Sequence, residues 1–185
     1  ANDLIEQSAH PQSGFYLNNL NALASVLNEQ NRIGQKTILL GVTFALLTLA
    51  EEFKLSLGST TVMETGGMKG RRKEIVRQEL HQILCNELGV NSIHSEYGMT
   101  ELLSQAYSYG EGVFSCPPWM KILLRDPYDP LSKFNQGSGA INVIDLANIN
   151  SCSFIQTDDL GRLHSDGTFE VLGRVDNSQL RGCNL

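Results

Sequence analysis

The chain lacks most of the features that would place it quickly. Its four cysteines, Cys85, Cys116, Cys152 and Cys183, lie far apart in 185 residues, and no two form a C-x-x-C pair. That spacing excludes a zinc site or a disulfide framework as the organising feature and fits a reduced, cytoplasmic setting. No apolar run reaches the length of a membrane span; the longest, residues 38–50, is broken by Gly41 and by threonines. None of the opening residues reads as a secretory signal. Positive charge is scarce: 14 Lys and Arg stand against 20 Asp and Glu, a net charge of -6. That balance argues against a nucleic-acid partner, which calls for a basic face. Internal repeats, low-complexity segments and any Ser-His-Asp grouping with motif support are also missing.

What is present is ordinary in bulk: 41% hydrophobic and 18% charged residues, as in a soluble globular protein. The length suffices for one domain or two small lobes with a sizeable core. Residues 1–14 read as an irregular lead-in. Residues 17–30 carry Leu17, Leu20, Ala24 and Leu27 at helical spacing, 36–42 read as a buried strand and 44–55 as a helix. Residues 60–65 form a second strand, closed by Gly66-Gly67. The clearest helix covers 72–88, with Ile75, Val76, Leu80, Ile83, Leu84 and Leu88 as its apolar stripe and Gly89 as its stop. A third strand lies near 91–95, followed by a helix-like run at 102–107. Strands alternating with helices imply βαβ units and a parallel sheet, whose ligands bind beyond the carboxyl ends of the strands. The expected fold class is therefore α/β: an open, mostly parallel sheet with flanking helices, followed by a small β-rich lobe. The expected units are an α/β subdomain at 1–112, a Pro/Gly-rich connection at 113–139 and a β-rich lobe at 140–185. Strands are expected at 140–146 and 152–156, and a hairpin at 163–172 turning at Ser165-Asp166-Gly167.

The most informative segment is Tyr97-Gly98-Met99-Thr100-Glu101, at the expected carboxyl end of the third strand. An aromatic ring there can stack on a base, a hydroxyl can bond a phosphate, and a carboxylate can hold Mg²⁺, which takes oxygen ligands shared with phosphates. A second segment, far downstream, reads Thr157-Asp158-Asp159-Leu160-Gly161-Arg162, then the hairpin, then Gly173-Arg174-Val175-Asp176. Together, in this order, the two segments resemble the adenylate-forming enzymes: acyl-CoA synthetases, luciferases and peptide-synthetase adenylation domains. Those carry an aromatic-Gly-x-Thr-Glu motif, then Thr-Gly-Asp-x-Gly, a short hairpin and Gly-Arg-x-Asp.

The resemblance implies roles by position, with ATP and Mg²⁺ as cofactors. Tyr97 and Gly98 would lie against the adenine, Thr100 would bond the α-phosphate and Glu101 would help hold Mg²⁺. Asp159 would accept bonds from the ribose hydroxyls, Arg174 would bond ribose or phosphate, and Asp176 would mark the hinge. Gly66 and Gly67 match a turn where backbone comes close to the ligand. The lesser alternative for Tyr97 is a core tyrosine and for Asp159 a turn residue, while Gly66-Gly67 taken alone reads first as plain turn chemistry. Asp158 stands where those enzymes have glycine, which leaves the backbone of that loop open. The basic run Lys69-Gly70-Arg71-Arg72-Lys73 reads first as a solvated helix start and second as a phosphate contact. His94 and Glu96 flank the approach to Tyr97; His164 reads as surface.

The closing residues Arg181-Gly182-Cys183 narrow the resemblance to the acyl-protein synthetases of bacterial luminescence, in which a cysteine near the carboxyl end takes the acyl group from acyl-AMP as a thioester. Cys183 is the matching position, and a neighbouring cation such as Arg181 favours its thiolate. The implied function is activation of a carboxylic acid, a fatty acid by resemblance, with Thr100, Glu101 and Cys183 in catalytic roles. Coenzyme A is the alternative acceptor, an acyl reductase a possible downstream partner, and a non-catalytic nucleotide-binding module the alternative of a different class. The Ser/Thr/Gly-rich phosphate loop of these enzymes has no counterpart here. The expectation is therefore the carboxyl-terminal part of a longer protein, inactive alone, with a homodimer through its exposed edge conceivable.

Overall fold

A computed structural model describes residues 1–66, 75–129 and 131–175. The apolar strands β1 (Thr37–Val42), β2 (Thr60–Thr65) and β3 (Ile93–Tyr97) pair side by side in parallel. Parallel neighbours need a crossover between them. The helices α3 (Thr43–Glu52) and α4 (Arg77–Leu88) lie in those crossovers. On α4, Leu80, Leu84 and Leu88 recur every fourth residue and form one buried stripe. They meet Val62 of β2, Ile93 of β3, Leu46 and Leu49 of α3, and Ala24 and Leu27 of α2 (Leu20–Arg32) in one hydrophobic cluster. The Asn19 side chain caps α2 by accepting from the Ala22 amide, and Gly89 ends α4 in the left-handed conformation. The lead-in expected to be irregular contains a short helix, α1 (Asn2–Ser8), which buries none of its residues.

After Tyr97 the chain reverses, and every further pairing is antiparallel. The strands are β4 (Ala106–Ser108), β5 (Val113–Ser115), β6 (Met120–Arg125), β7 (Lys133–Phe134), β8 (Gly137–Asp145), β9 (Phe154–Leu163) and β10 (Phe169–Arg174). Among the described residues they extend the same sheet to ten strands, in the order β1-β2-β3-β4-β5-β10-β9-β8-β6-β7. The architecture is thus α/β, an open mixed sheet with flanking helices that runs into a β-rich part. Its parallel portion is the first three strands. The expected β9–β10 hairpin is present, with Leu163 opposite Phe169.

Two local expectations give way to non-local pairing. The stretch 113–139 carries β5, β6 and β7. In β6, Met120, Ile122 and Leu124 are buried in alternation, the period of a strand with one face in the core. The run 102–107 forms a turn followed by β4 instead of a helix. This half has its own core, a cluster that joins Tyr97 with Phe114, Phe169, Leu124, Ile141 and Val143.

Candidate nucleotide site at the end of the third strand

Thr65 of β2 is level with Glu96 of β3, so Gly66 and Tyr97 leave the sheet side by side at its carboxyl edge. Gly66 adopts φ 63°, and no atom lies within 4 Å of where a Cβ would sit. Glycine is therefore favoured here by the left-handed backbone and not by crowding. Gly67 and the basic run at residues 69–73 lie outside the described residues, as do Asp176, Arg181, Gly182 and Cys183.

The Tyr97 ring is 8% exposed and packs edge-on against Phe114 and Phe169, with ring centroids 6.0 and 5.4 Å away. Its hydroxyl donates to Asp159 Oδ2 at 2.9 Å, across 62 positions of sequence. Burial pushes the Tyr97 hydroxyl well above its ordinary pKa, and the adjoining Asp159 carboxylate adds to the shift, so it stays a neutral donor. Arg174, directly opposite Asp159 in the β9–β10 ladder, brings Nε to 3.9 Å from Asp159 Oδ1 and Nη2 to 3.7 Å from Asp158 Oδ2. The two sequence segments thus meet in space. The segment carrying Asp159 is fixed from behind. The Asp159 amide donates to Thr157 Oγ1 at 3.1 Å, Thr157 Oγ1 donates to the Ile141 carbonyl, and the buried Arg125 guanidinium donates to the Thr157 carbonyl. Asp158, in place of the expected glycine, fits because this stretch is extended strand: it lies within β9 and is not among the residues of positive φ.

Gly98, Thr100 and Glu101 occupy the turn that follows, all exposed. A Cβ on Gly98 would come 3.1 Å from Gln105 Cγ. The Leu102 amide donates to the Met99 carbonyl, closing the turn. Two buried residues behind it were not anticipated from sequence. The Asp145 carboxylate, 0% exposed, accepts from the Leu103 and Ser104 amides, the Ser104 hydroxyl and the Ala147 amide. Asn148 accepts from the Leu103 amide and donates to the Glu101 carbonyl at 2.6 Å. Burial alone would raise the Asp145 pKa, but these hydrogen bonds, the Ser104 hydroxyl first, outweigh it and hold it below the ordinary carboxylate value. The signal in the sequence was the alternation Ile141, Val143, Asp145, which places a carboxylate on the buried face of β8.

A second buried carboxylate, Glu64, sits on β2 two residues before Gly66. Thr43 Oγ1 lies 3.1 Å from Glu64 Oε2 and 2.6 Å from the Gly66 carbonyl. Arg77 Nη1 and His81 Nε2 are each 3.8 Å from Glu64 Oε1. Burial raises its pKa, but the His81 contact, the Arg77 charge and the Ser95 and Thr43 hydroxyls together hold it below the ordinary value. His94 packs edge-on against Tyr109, 5.9 Å between centroids. Among the described cysteines, burial pushes the Cys116 thiol up to about 11 and raises that of Cys85; neither is an activated thiolate.

No family model matches the chain. A long-chain-fatty-acid–luciferin-component ligase of Vibrio harveyi is 26% identical over 132 residues, covering 65% of this chain and 35% of that protein. Among solved structures, coronafacic acid ligase from Pectobacterium brasiliense aligns with a TM-score of 0.59 at 18% identity, over 85% of this chain and 32% of that one. The O-succinylbenzoate coenzyme A synthetase of Bacillus subtilis, in complex with ATP and magnesium, gives 0.56 at 24% identity, over 86% and 36%. The chain has the fold of the carboxyl-terminal region of adenylate-forming ligases. It spans about a third of the length of these relatives. On this fold Asp159 meets both Tyr97 and Arg174, Gly66 lies on the neighbouring strand end, and Thr100 and Glu101 lie on the next turn. No helix among the described residues is long and apolar enough to cross a membrane.

Proposed function

We propose that this chain belongs to an ATP-dependent acyl-activating ligase. In that reaction a carboxylate oxygen attacks the α-phosphorus of ATP, pyrophosphate leaves, and a thiol then attacks the acyl carbonyl and releases AMP. The observation that carries this reading is the 2.9 Å bond between Tyr97 and Asp159, which unites two distant segments at the carboxyl edge of the sheet, where such sheets take their ligands.

The residues fit a nucleotide, with one adjustment. A ring as buried as Tyr97 offers little stacking area, so its main part is to hold Asp159 through the hydroxyl. Asp159 then presents Oδ1, beside Arg174, to a ribose diol. Among the described residues no group of three or more His, Cys, Asp and Glu side chains could hold a metal alone. Mg²⁺ does not require one, since it binds through one or two carboxylates together with phosphate oxygens. Glu101, exposed beside Thr100, supplies such a carboxylate; the ion would neutralise phosphate charge there. Thr100 donates toward the α-phosphate, and its place on a braced turn favours positioning of that group.

Cys183 is the proposed acceptor, with a fatty acid as the acid activated, on the strength of the similarity to the Vibrio harveyi ligase. Coenzyme A is the competing acceptor, favoured by the fold shared with a coenzyme A synthetase. The test uses the full-length protein with Mg·ATP and labelled fatty acid, without coenzyme A. Hydroxylamine-labile label on the protein that vanishes in Cys183→Ser supports the cysteine route. Acyl-coenzyme A formed equally by Cys183→Ser and wild type moves the protein to the coenzyme A route. Nucleotide binding without ATP–pyrophosphate exchange makes it a binding module and overturns the proposal.

A further inference from the structure

We infer that Asp145 and Asn148 are positioning residues for the Thr100–Glu101 turn, an inference that rests on the function proposed above. Between β3 and β4 the chain must turn back on itself, with Tyr97 opposite Ala106. The turn spans residues 98–105 and contains no helix that would satisfy its backbone. The partners come instead from the end of β8 and the 3-10 helix Leu146–Asn148. Asp145 Oδ2 takes the Leu103 and Ser104 amides at 3.1 and 2.9 Å, and Oδ1 takes the Ser104 hydroxyl at 2.7 Å. Asn148 Nδ2 donates to the Glu101 carbonyl at 2.6 Å. Trp119 Nε1 completes the set by donating to Ser104 Oγ at 2.9 Å.

The distribution of exposure separates this arrangement from an ordinary buried cap. Asp145, Asn148 and Ser104 are 0, 3 and 5% exposed, while Thr100 and Glu101, on the same turn, are exposed. The backbone is gripped from within and the two side chains are held outward. The Glu101 peptide oxygen is fixed by Asn148, leaving its carboxylate facing solvent, where a phosphate-bound cation would lie. Groups of this kind, one step removed from the metal, set the geometry of the ligand that touches it. The two tethers differ in what a substitution removes. Asp145→Asn replaces one of two oxygens, each facing two donors, and loosens the whole turn. Asn148→Ala removes only the amide that holds Glu101 and one of the two acceptors of the Leu103 amide.

The test measures Mg²⁺-dependent ATP binding by calorimetry, and ATP–pyrophosphate exchange, for the full-length protein against Mg²⁺ concentration, in wild type, Asn148→Ala, Glu101→Gln and the double variant. Asn148→Ala is expected to raise half-saturating Mg²⁺ about tenfold, with the KM of the carboxylic acid unchanged. In the Glu101→Gln background the same substitution is expected to have no further effect on Mg²⁺ dependence, since the two act as one unit. Asp145→Asn, where it folds, should show the Mg²⁺ shift with a lower kcat. Equal effects of Asn148→Ala in both backgrounds, or a loss of folded protein with unchanged Mg²⁺ dependence, overturns the inference while leaving the proposed function standing. Wild-type exchange and Mg²⁺ dependence in Glu101→Gln overturns the assignment of Glu101, and the inference with it.

Discussion

Among the described residues, the parallel and antiparallel halves of this sheet each bury one carboxylate, and they satisfy it in opposite ways. Glu64 in the parallel half is surrounded by side chains: Thr43 at the start of α3, Arg77 and His81 of α4, and Ser95 nearby on β3. Asp145 in the antiparallel half is surrounded mostly by backbone amides of a turn and its own loop. A carboxylate held by ion-pair partners stabilises the packing of helices on a sheet. One held by amides fixes the path of a chain. The second kind suits a segment that must present Thr100 and Glu101, which have no strand or helix to support them. The two hydrophobic clusters show the same division: the first is aliphatic, and the second centres on the rings of Tyr97, Phe114 and Phe169.

The strongest way to break the comparison is to cut one side chain from each cluster. Phe169 and Leu84 are both 0% exposed. Phe169→Ala is expected to cost about 3–5 kcal/mol and Leu84→Ala about 2–5 kcal/mol of stability. Only the former should also weaken nucleotide binding, because Phe169 packs against the Tyr97 ring whose hydroxyl holds Asp159. Denaturant unfolding and nucleotide titration of the two variants, at a temperature where both remain folded, check this. Equal affinity in both would detach the aromatic cluster from the site.

Glycine substitutions probe the halves by different physics. A Cβ on Gly161 would lie 2.6 Å from Ile141 Cδ1 and 2.8 Å from the Glu170 carbonyl oxygen, so Gly161→Ala should destabilise by about 1–3 kcal/mol through overpacking. Gly66→Ala meets no neighbour and is strained only by its left-handed φ of 63°, at about 1 kcal/mol. Chevron or equilibrium unfolding that ranks Gly66→Ala above Gly161→Ala would show that the strand end, and not the ladder, is the tighter constraint.

The parallel half was legible because its information is local. Strand β2 falls on the expected residues 60–65, and the buried stripe of α4 on Leu80, Leu84 and Leu88 with its end at Gly89. But α4 begins at Arg77 and leaves Val76 of the expected stripe exposed, and β1, expected to be buried, lies at the sheet edge with Ile38 and Leu40 exposed. The antiparallel half was only partly legible. The hairpin around Asp166-Gly167 carries its own turn signal, but β4, β5 and β6 gain their identity from partners far along the chain. The prolines around them mask strands that pair with β8 and β10. The site divides likewise. Tyr97, Asp159 and Arg174 were visible through their motifs, and the structure brings them together. Asp145 and Asn148 carry no motif. Their role appears only when β8 is laid into the sheet and its end reaches residues 101–104, more than 40 positions away.

The smallest predicted effect sharpens the comparison between the two carboxylates. Both are held below their ordinary pKa, so each contributes stability that is fully present above the unfolded-state value, about 4, and is lost as the pH falls through the depressed folded-state value. The melting temperature should therefore stay level from neutral pH down to about 4 and fall below it. Replacing either carboxylate by its amide, Glu64→Gln or Asp145→Asn, lowers stability at neutral pH and removes one titrating group, so each variant should show a shallower acid decline. The partners distinguish the two. Arg77 still faces Glu64 after that carboxyl is protonated, and its charge is then left half-buried without an anion. The amides around Asp145 still find one carbonyl oxygen. The acid decline should consequently flatten more in Glu64→Gln than in Asp145→Asn, and the reverse order would place the stronger electrostatic constraint in the turn that carries Thr100 and Glu101.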